Sequence, residues 1–216
     1  ASSQLLSDQL ASVPDPRVQR FAPKLLRSLE RAIAFCQSTL SYGRAQEAAP
    51  DRRVIMVEPA VAEVRESAGL ATDVSITWIS AIERGLTIDA DPDQLFRVLL
   101  NLVRNATQAL ESRQDGDGGA QQIRITGRRE GTVAIIEVSD TGPGVPAKAR
   151  EHLFEAFQTS GRPGGSGLGL AIAAELIRAH GGHIHLVEGT IGATFRISIP
   201  DRPVELLSVR SERARA

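Results

Sequence analysis

Val133-Ala-Ile-Ile-Glu-Val-Ser-Asp140-Thr-Gly142-Pro-Gly144 joins an apolar run to an acidic residue and two spaced glycines. Val133–Val138 reads as a strand, paired in a β-hairpin with the alternating run Ile123–Arg128 just before it. A carboxylate at a strand end can accept a hydrogen bond from an exocyclic amine such as adenine N6. The glycines after Asp140 would let a flat ring lie against the backbone. Asp-x-Gly-x-Gly is also good turn chemistry, so the stretch acquires meaning only from what surrounds it.

Upstream, Asp91 is a suitable N-cap and Pro92 a suitable first-turn residue for a helix running to about Ser112. Within it, Asn101-Leu-Val-Arg-Asn105 places two carboxamides four residues apart, on one helical face. Leu99, Leu100, Leu102 and Val103 around them are apolar, so Asn101 and Asn105 are expected at the boundary between core and cleft. A carboxamide oxygen there suits Mg²⁺, which takes oxygen ligands and few from protein. Downstream, Gly164-Gly165-Ser-Gly167-Leu168-Gly169-Leu170 opens a helix, Leu168–Ala179, that ends at Gly181-Gly182. Glycines at a helix start let backbone N–H groups approach phosphate oxygens. The stretch is neither a Walker A motif nor a Rossmann fingerprint. Before it, Gln158–Pro163 is polar and suits a lid, anchored by Leu153, Phe154 and Phe157, residues that could equally be plain core. Gly192-Ala-Thr194 begins the last strand, Ala193–Ile199, after a strand at Ile184–Val187.

Toward the N-terminus the pattern becomes purely helical. Residues 1–12 resemble the tail of an amphipathic helix, and Val13-Pro14-Asp15-Pro16 breaks it. Arg17–Gln46 repeats apolar residues at alternating spacings of four and three through Val18, Ala22, Leu25, Leu29, Ala32 and Cys36. Such a hairpin buries little alone, so residues 1–46 are expected to pair with a second copy as a four-helix bundle, giving a homodimer. A linker follows at 47–52. Strands are expected at Val54–Val57 and Val74–Ile79, with a helix at Pro59–Gly69 between them. The α/β domain spans 53–200, and 201–216 is expected to be a flexible tail.

Bulk composition narrows the classes. Of 216 residues, 42% are hydrophobic and 24% charged, ordinary for a globular chain, and the net charge of -1 offers no field for nucleic acid. Cys36 is the single cysteine, which excludes an internal disulfide and a cysteine metal cluster. No apolar run approaches the ~18 residues that span a bilayer.

Taken together, the order and spacing of these motifs resemble the N, G1, F and G2 boxes of the ATPase fold shared by histidine kinases, gyrase-type topoisomerases, the ninety-kilodalton chaperone and mismatch-repair ATPases. The resemblance covers about residues 52–200. It implies an α/β two-layer sandwich of the Bergerat type that binds ATP with Mg²⁺. By that resemblance Asn105 holds the metal and Asp140 recognises adenine, with Gly142 and Gly144 shaping the pocket. Gly165, Gly167, Leu168 and Gly169 cover the phosphates, Thr194 supports the adenine contact, and Phe154, Phe157 and Arg162 belong to the lid. Asn105 is followed by Ala-Thr-Gln-Ala-Leu, as in the nitrogen-regulation-like kinases, where many sensor kinases have a lysine; Arg104 or Arg162 would supply the positive charge.

In the hydrolysing branches the residue four before the metal asparagine is a glutamate that activates water. Here it is Asn101, and a carboxamide cannot act as a general base. The resemblance therefore implies a histidine kinase core, with a response-regulator receiver domain as partner and a cytoplasmic location, any membrane attachment lying outside this chain. A kinase-like scaffold without catalysis is the alternative. The family's acceptor histidine lies on the first hairpin helix, whereas His152, His180, His183 and His185 all fall in the ATPase-like half. The acceptor segment is therefore expected to have been removed ahead of Ala1.

Overall fold

A computed structural model describes residues 49–72, 75–112, 119–157 and 167–202, together with residues 15, 17–19, 21, 22 and 36. The N-terminal hairpin, its bundle pairing and the tail after Arg202 lie outside the described residues, apart from a helical start. There the Arg17 N–H donates to Asp15 Oδ1 at 2.8 Å and the Gln19 N–H to the Asp15 carbonyl.

The domain is built around a five-stranded sheet: β2 (Thr77–Ile82), β4 (Gln122–Glu130), β5 (Val133–Asp140), β7 (Thr194–Pro200) and β6 (His183–Leu186), side by side in that order. β2 runs parallel to β4 and the other pairs are antiparallel. A separate antiparallel pair joins β1 (Arg53–Met56) to β3 (Thr87–Ala90). The helices are α1 (Val57–Ser67), α2 (Pro92–Glu111), the single turn α3 (Ala147–Arg150) and α4 (Gly169–Ala179). This is the expected α/β two-layer sandwich.

One face of the sheet is apolar: Ile123, Ile125, Ile136, Val138, Phe195, Ile197 and Ile199 share a continuous core with Val61, Val64, Leu99, Leu102, Leu176 and Ile177 from the three long helices. The other face carries ion pairs at its centre. Glu137 on β5 accepts from Arg196 on β7 at 2.7 Å and from Arg128 on β4 at 3.4 Å. Burial alone would raise the Glu137 carboxyl, but the two guanidiniums outweigh it and hold it below the usual range.

α2 positions the site, and its sequence explains its fit. Leu95, Val98, Leu99, Leu102, Val103, Ala106 and Leu110 are buried at spacings of three and four. Asp91 caps its start by accepting the Gln94 N–H at 3.0 Å, worth ~1 kcal/mol. α4 ends in a Schellman turn, with the Gly182 N–H on the Ile177 carbonyl and the Gly181 N–H on the Arg178 carbonyl. Gly181 has φ +72°, and a Cβ on Gly182 would stand 2.3 Å from the Ser198 carbonyl, so the pair is fixed by geometry on both counts.

Three expectations need correction. The second strand is Thr77–Ile82, so that, of the expected Val74–Ile79, Val74 lies outside the described residues and Ser75 and Ile76 precede the strand; its register with β4 turns Trp78 and Ile82 onto the core. α1 starts at Val57, two residues early, with Pro59 inside the first turn, where no N–H is required. β3 was not anticipated: Thr-Ile-Asp-Ala is short and carries an acid, whose charge is met by arginines distant in sequence.

That meeting point lies under the sheet's end. Arg202 grips Asp89 with Nε and Nη2 at 2.9 and 3.0 Å, and Arg52 stands 3.2 Å away. Burial pushes the Asp89 carboxyl up, but the Arg202 hydrogen bonds and the charges of Arg52 and Arg202 bring it below its ordinary value. Beside it His180 is buried, its Nδ1 on the Leu176 carbonyl at 2.7 Å and its Nε2 accepting the Asp91 N–H at 3.0 Å. Both nitrogens are used by the neutral ring, and a second ring proton would meet the Asp91 N–H. Burial, ahead of the opposing Leu176 bond and the mixed charges of Arg52, Asp91 and Asp89, lowers its pKa from 6.5. A lowered histidine favours the folded state fully above the unfolded pKa, and that contribution is lost as pH falls below 6.5 through the folded value. Between about pH 7 and about pH 5, the melting temperature of the protein should therefore fall further than that of His180→Gln. Parallel slopes for the two would refute this role.

Candidate nucleotide site

The site lies along α2, between the end of β5 and the start of α4. Asp140 closes β5 at 5% exposure, and its Oδ1 accepts the N–H groups of Gly142 at 2.8 Å and Ala193 at 3.3 Å. The Asp140 N–H in turn bonds the Ala193 carbonyl at 2.9 Å. Close backbone approach holds this corner. A Cβ on Gly192, at φ +69°, would lie 2.0 Å from the Asp140 carbonyl, and one on Gly144, at φ +75°, would lie 2.9 Å from the Gly192 carbonyl. Thr141 secures the other side, its hydroxyl donating to the Ala120 carbonyl at 2.7 Å and accepting the Gln122 N–H.

Gly142 packs toward the C-terminal part of α2: a Cβ there would be 3.1 Å from Ala109 Cβ and 2.8 Å from Asp140 Oδ1. The start of α4 faces the middle of the same helix, since a Cβ on Gly169 would be 3.9 Å from Asn101 Oδ1. From Asn101 to Ala109 the helix rises about 12 Å. Asn105 lies between, on the same face as Asn101, and both are half-buried. The cleft thus has an acceptor-bearing end at Asp140 and, at its other end, a helix N-terminus, with carboxamides between them. Leu168, the N-cap of α4, is fully buried and offers no side-chain cap, so the first amides of the helix are left to backbone, solvent or an anion.

Of the lid residues, Phe154 stacks edge-on against Phe195 with centroids 6.3 Å apart and so is part of the core. Phe157 is exposed at φ +66°, a conformation a phenylalanine rarely adopts, and its N–H bonds the Gly167 carbonyl at 3.0 Å. Arg162 and Gly165 lie outside the described residues.

Thr194 is not brought to Asp140. Its hydroxyl donates to Ser139 Oγ at 3.0 Å, on the sheet face away from the helices, because Ser139 alternates with Val138 and Asp140, which face the helices. What reaches Asp140 from this strand entry is the backbone of Ala193. Sequence reading missed that contact, and the only available signal was the glycine at 192.

Comparison with known proteins places these features in context. The family model for histidine kinase-, DNA gyrase B-, and HSP90-like ATPases matches residues 90–203. The sensory histidine kinase/phosphatase NtrB of Rhodobacter capsulatus is 33% identical over 193 residues, covering 82% of this chain, which spans 51% of that relative's length. Among solved structures, the catalytic domain of the histidine kinase ThkA is 27% identical with TM-score 0.60, covering 69% of this chain and 95% of the domain. Full-length ShkA in complex with AMPPNP is 28% identical with TM-score 0.68, covering 88% of this chain and 40% of that protein.

Proposed function

The chain belongs to the family of histidine kinase-, DNA gyrase B-, and HSP90-like ATPases, and on that premise we propose that it is the catalytic core of a histidine kinase, passing the ATP γ-phosphoryl to a histidine for relay to a response-regulator receiver domain. The observation that carries this reading is the disposition of the cleft along α2. Adenine lies at Asp140, with N6 donating to the carboxylate, and Gly142 and Gly144 keep the wall flat. The phosphates extend toward Asn101 and the N-terminus of α4, where Gly167, Leu168 and Gly169 present backbone amides. The two ends are spaced for an extended nucleotide. Homodimerisation through residues 1–46 is part of the proposal.

Mg²⁺ fits the donor set. Asn105 is a neutral oxygen donor on the cleft face, suited to an ion that draws most of its remaining ligands from phosphate and water. Bound there, the ion would neutralise charge on the phosphate oxygens. The chain's own part is to hold the phosphates in line with an acceptor nitrogen.

Two measurements test the reading. Fluorescent-nucleotide titration should show ATP binding that Mg²⁺ strengthens. Asn105→Ala should abolish that strengthening and leave the circular-dichroism spectrum unchanged, since the side chain sits on the flank of α2 rather than in its buried stripe. Equal Mg²⁺ enhancement in both proteins rules out Asn105 as the ligand.

A further inference from the structure

Arg52 is the last residue before β1, far from the cleft in sequence and position, yet its guanidinium is 11% exposed and bonded to three elements. Nη1 donates to the His180 carbonyl at the C-terminus of α4 at 2.7 Å. Nε and Nη2 donate to the Asp89 carbonyl on β3 at 3.1 and 2.9 Å, and Nη2 also to the Pro200 carbonyl on β7 at 2.6 Å. Its neighbour Asp51 donates its N–H to Asp91 Oδ2 at 2.9 Å, while Asp91 Oδ1 caps α2 and the Asp91 N–H binds His180. Two consecutive residues thus hold the N-cap of α2 and the C-cap of α4. These two helices run antiparallel and share the hydrophobic core, with Gly169 opposite Asn101 at the cleft end of their contact.

α4 is one rigid rod of eleven residues, about 16 Å long. Where its C-terminus is fixed, its N-terminus is fixed too. We propose that Arg52 is a positioning residue for the nucleotide site: by anchoring the His180 carbonyl it sets how far the first amides of α4 reach toward the phosphates opposite Asn101. The inference rests on the proposed nucleotide-binding function and adds a route to it. The segment that enters at residue 51 reaches the phosphate end of the cleft through Arg52 and one helix, whereas its route to the Asp140 corner is the Pro200 carbonyl at the far end of β7, a strand held along its length by β5 and β6. Movement of that segment changes phosphate affinity and leaves adenine affinity alone. By reciprocity, a ligand with phosphates tightens the Arg52 anchor and a bare nucleoside does not.

The test compares ATP with adenosine, both with Mg²⁺, in the unmodified chain and in Arg52→Lys, which keeps the charge but cannot span three carbonyls. ATP affinity is expected to fall about tenfold, a change of ~1.4 kcal/mol, with adenosine affinity unchanged. Equal losses for the two ligands would reduce Arg52 to a general stabiliser and overturn the inference, as would no loss for either. A chain that binds no ATP in its unmodified form overturns the proposed function first and this inference with it. Should Arg52→Lys fail to fold, the unmodified chain decides. Exchange of the Arg52 Nε–H with solvent, followed by nuclear magnetic resonance, should slow with ATP and not with adenosine, and equal rates overturn the proposal.

Discussion

Asp140→Asn is expected to weaken ATP binding by about ten- to hundred-fold, the loss of one charge-assisted hydrogen bond worth ~1.5–3 kcal/mol, with the fold retained. The asparagine is the informative substitution because Asp140 has two duties. Its Oδ1 accepts from Gly142 and Ala193, and an asparagine carbonyl oxygen can go on accepting from both. The amide NH₂ then stands where the second carboxylate oxygen was, so a donor faces the N6 donor of adenine. The same NH₂ matches the O6 acceptor of guanine, and discrimination against GTP should shrink as ATP affinity falls. Asp140→Ala should lose ATP equally and also leave two buried N–H groups without that acceptor, at ~1–3 kcal/mol each. Its melting temperature should therefore drop where that of Asp140→Asn holds. Competition titrations with ATP and GTP read the first effect. An asparagine variant that binds ATP normally and still rejects GTP would remove Asp140 from the adenine site.

The sequence made the parts of this site legible where the chemistry resides in side chains with local periodicity. α2 follows from an apolar stripe, an Asp91 cap and a Pro92 start, all within twenty-odd residues, and Asn101 and Asn105 stand out as carboxamides set among the apolar Leu99, Leu100, Leu102 and Val103. The hairpin β4–β5 and the glycine end of α4 follow in the same way. Where the signal fails, the interaction is either long-range or carried by backbone. β3 is held by Arg52 and Arg202 acting on Asp89, across 37 and 113 residues of chain, and no local pattern announces such a pair. The contact of Ala193 with Asp140 uses an N–H that every residue but proline possesses. Thr194 shows the cost of a period of two: placing a strand side chain one residue away moves it to the opposite face. The family resemblance supplied a threonine for this corner, and the register put that hydroxyl on Ser139.

Transfer rather than hydrolysis is the second large expected effect, and it turns on Asn101. Its carboxamide sits four residues before Asn105 on α2, beside the start of α4, where it can orient a phosphate or water but cannot take a proton from one. With labelled ATP the chain should bind nucleotide and release phosphate very slowly. Its own histidines are poor acceptors. His180 is buried with both ring nitrogens engaged. His183 and His185 are exposed on the sheet face away from the helices, opposite Ser198 and Arg196, and His152 is paired with Glu155 at 2.9 Å. A separate helical hairpin bearing an accessible histidine should therefore become labelled in trans, with acid-labile phosphate on the hairpin and none on the chain. In-line placement of an imidazole nitrogen against the γ-phosphorus is all the acceptor need supply. Asn101→Glu restores a carboxylate next to the phosphates and should raise phosphate release, up to the ~10²–10⁴-fold that a positioned general base provides, at the expense of hairpin labelling. Fast phosphate release by the unmodified chain, with no label on the hairpin, would place it among the hydrolysing members of its family and make Asn101 no barrier to water attack.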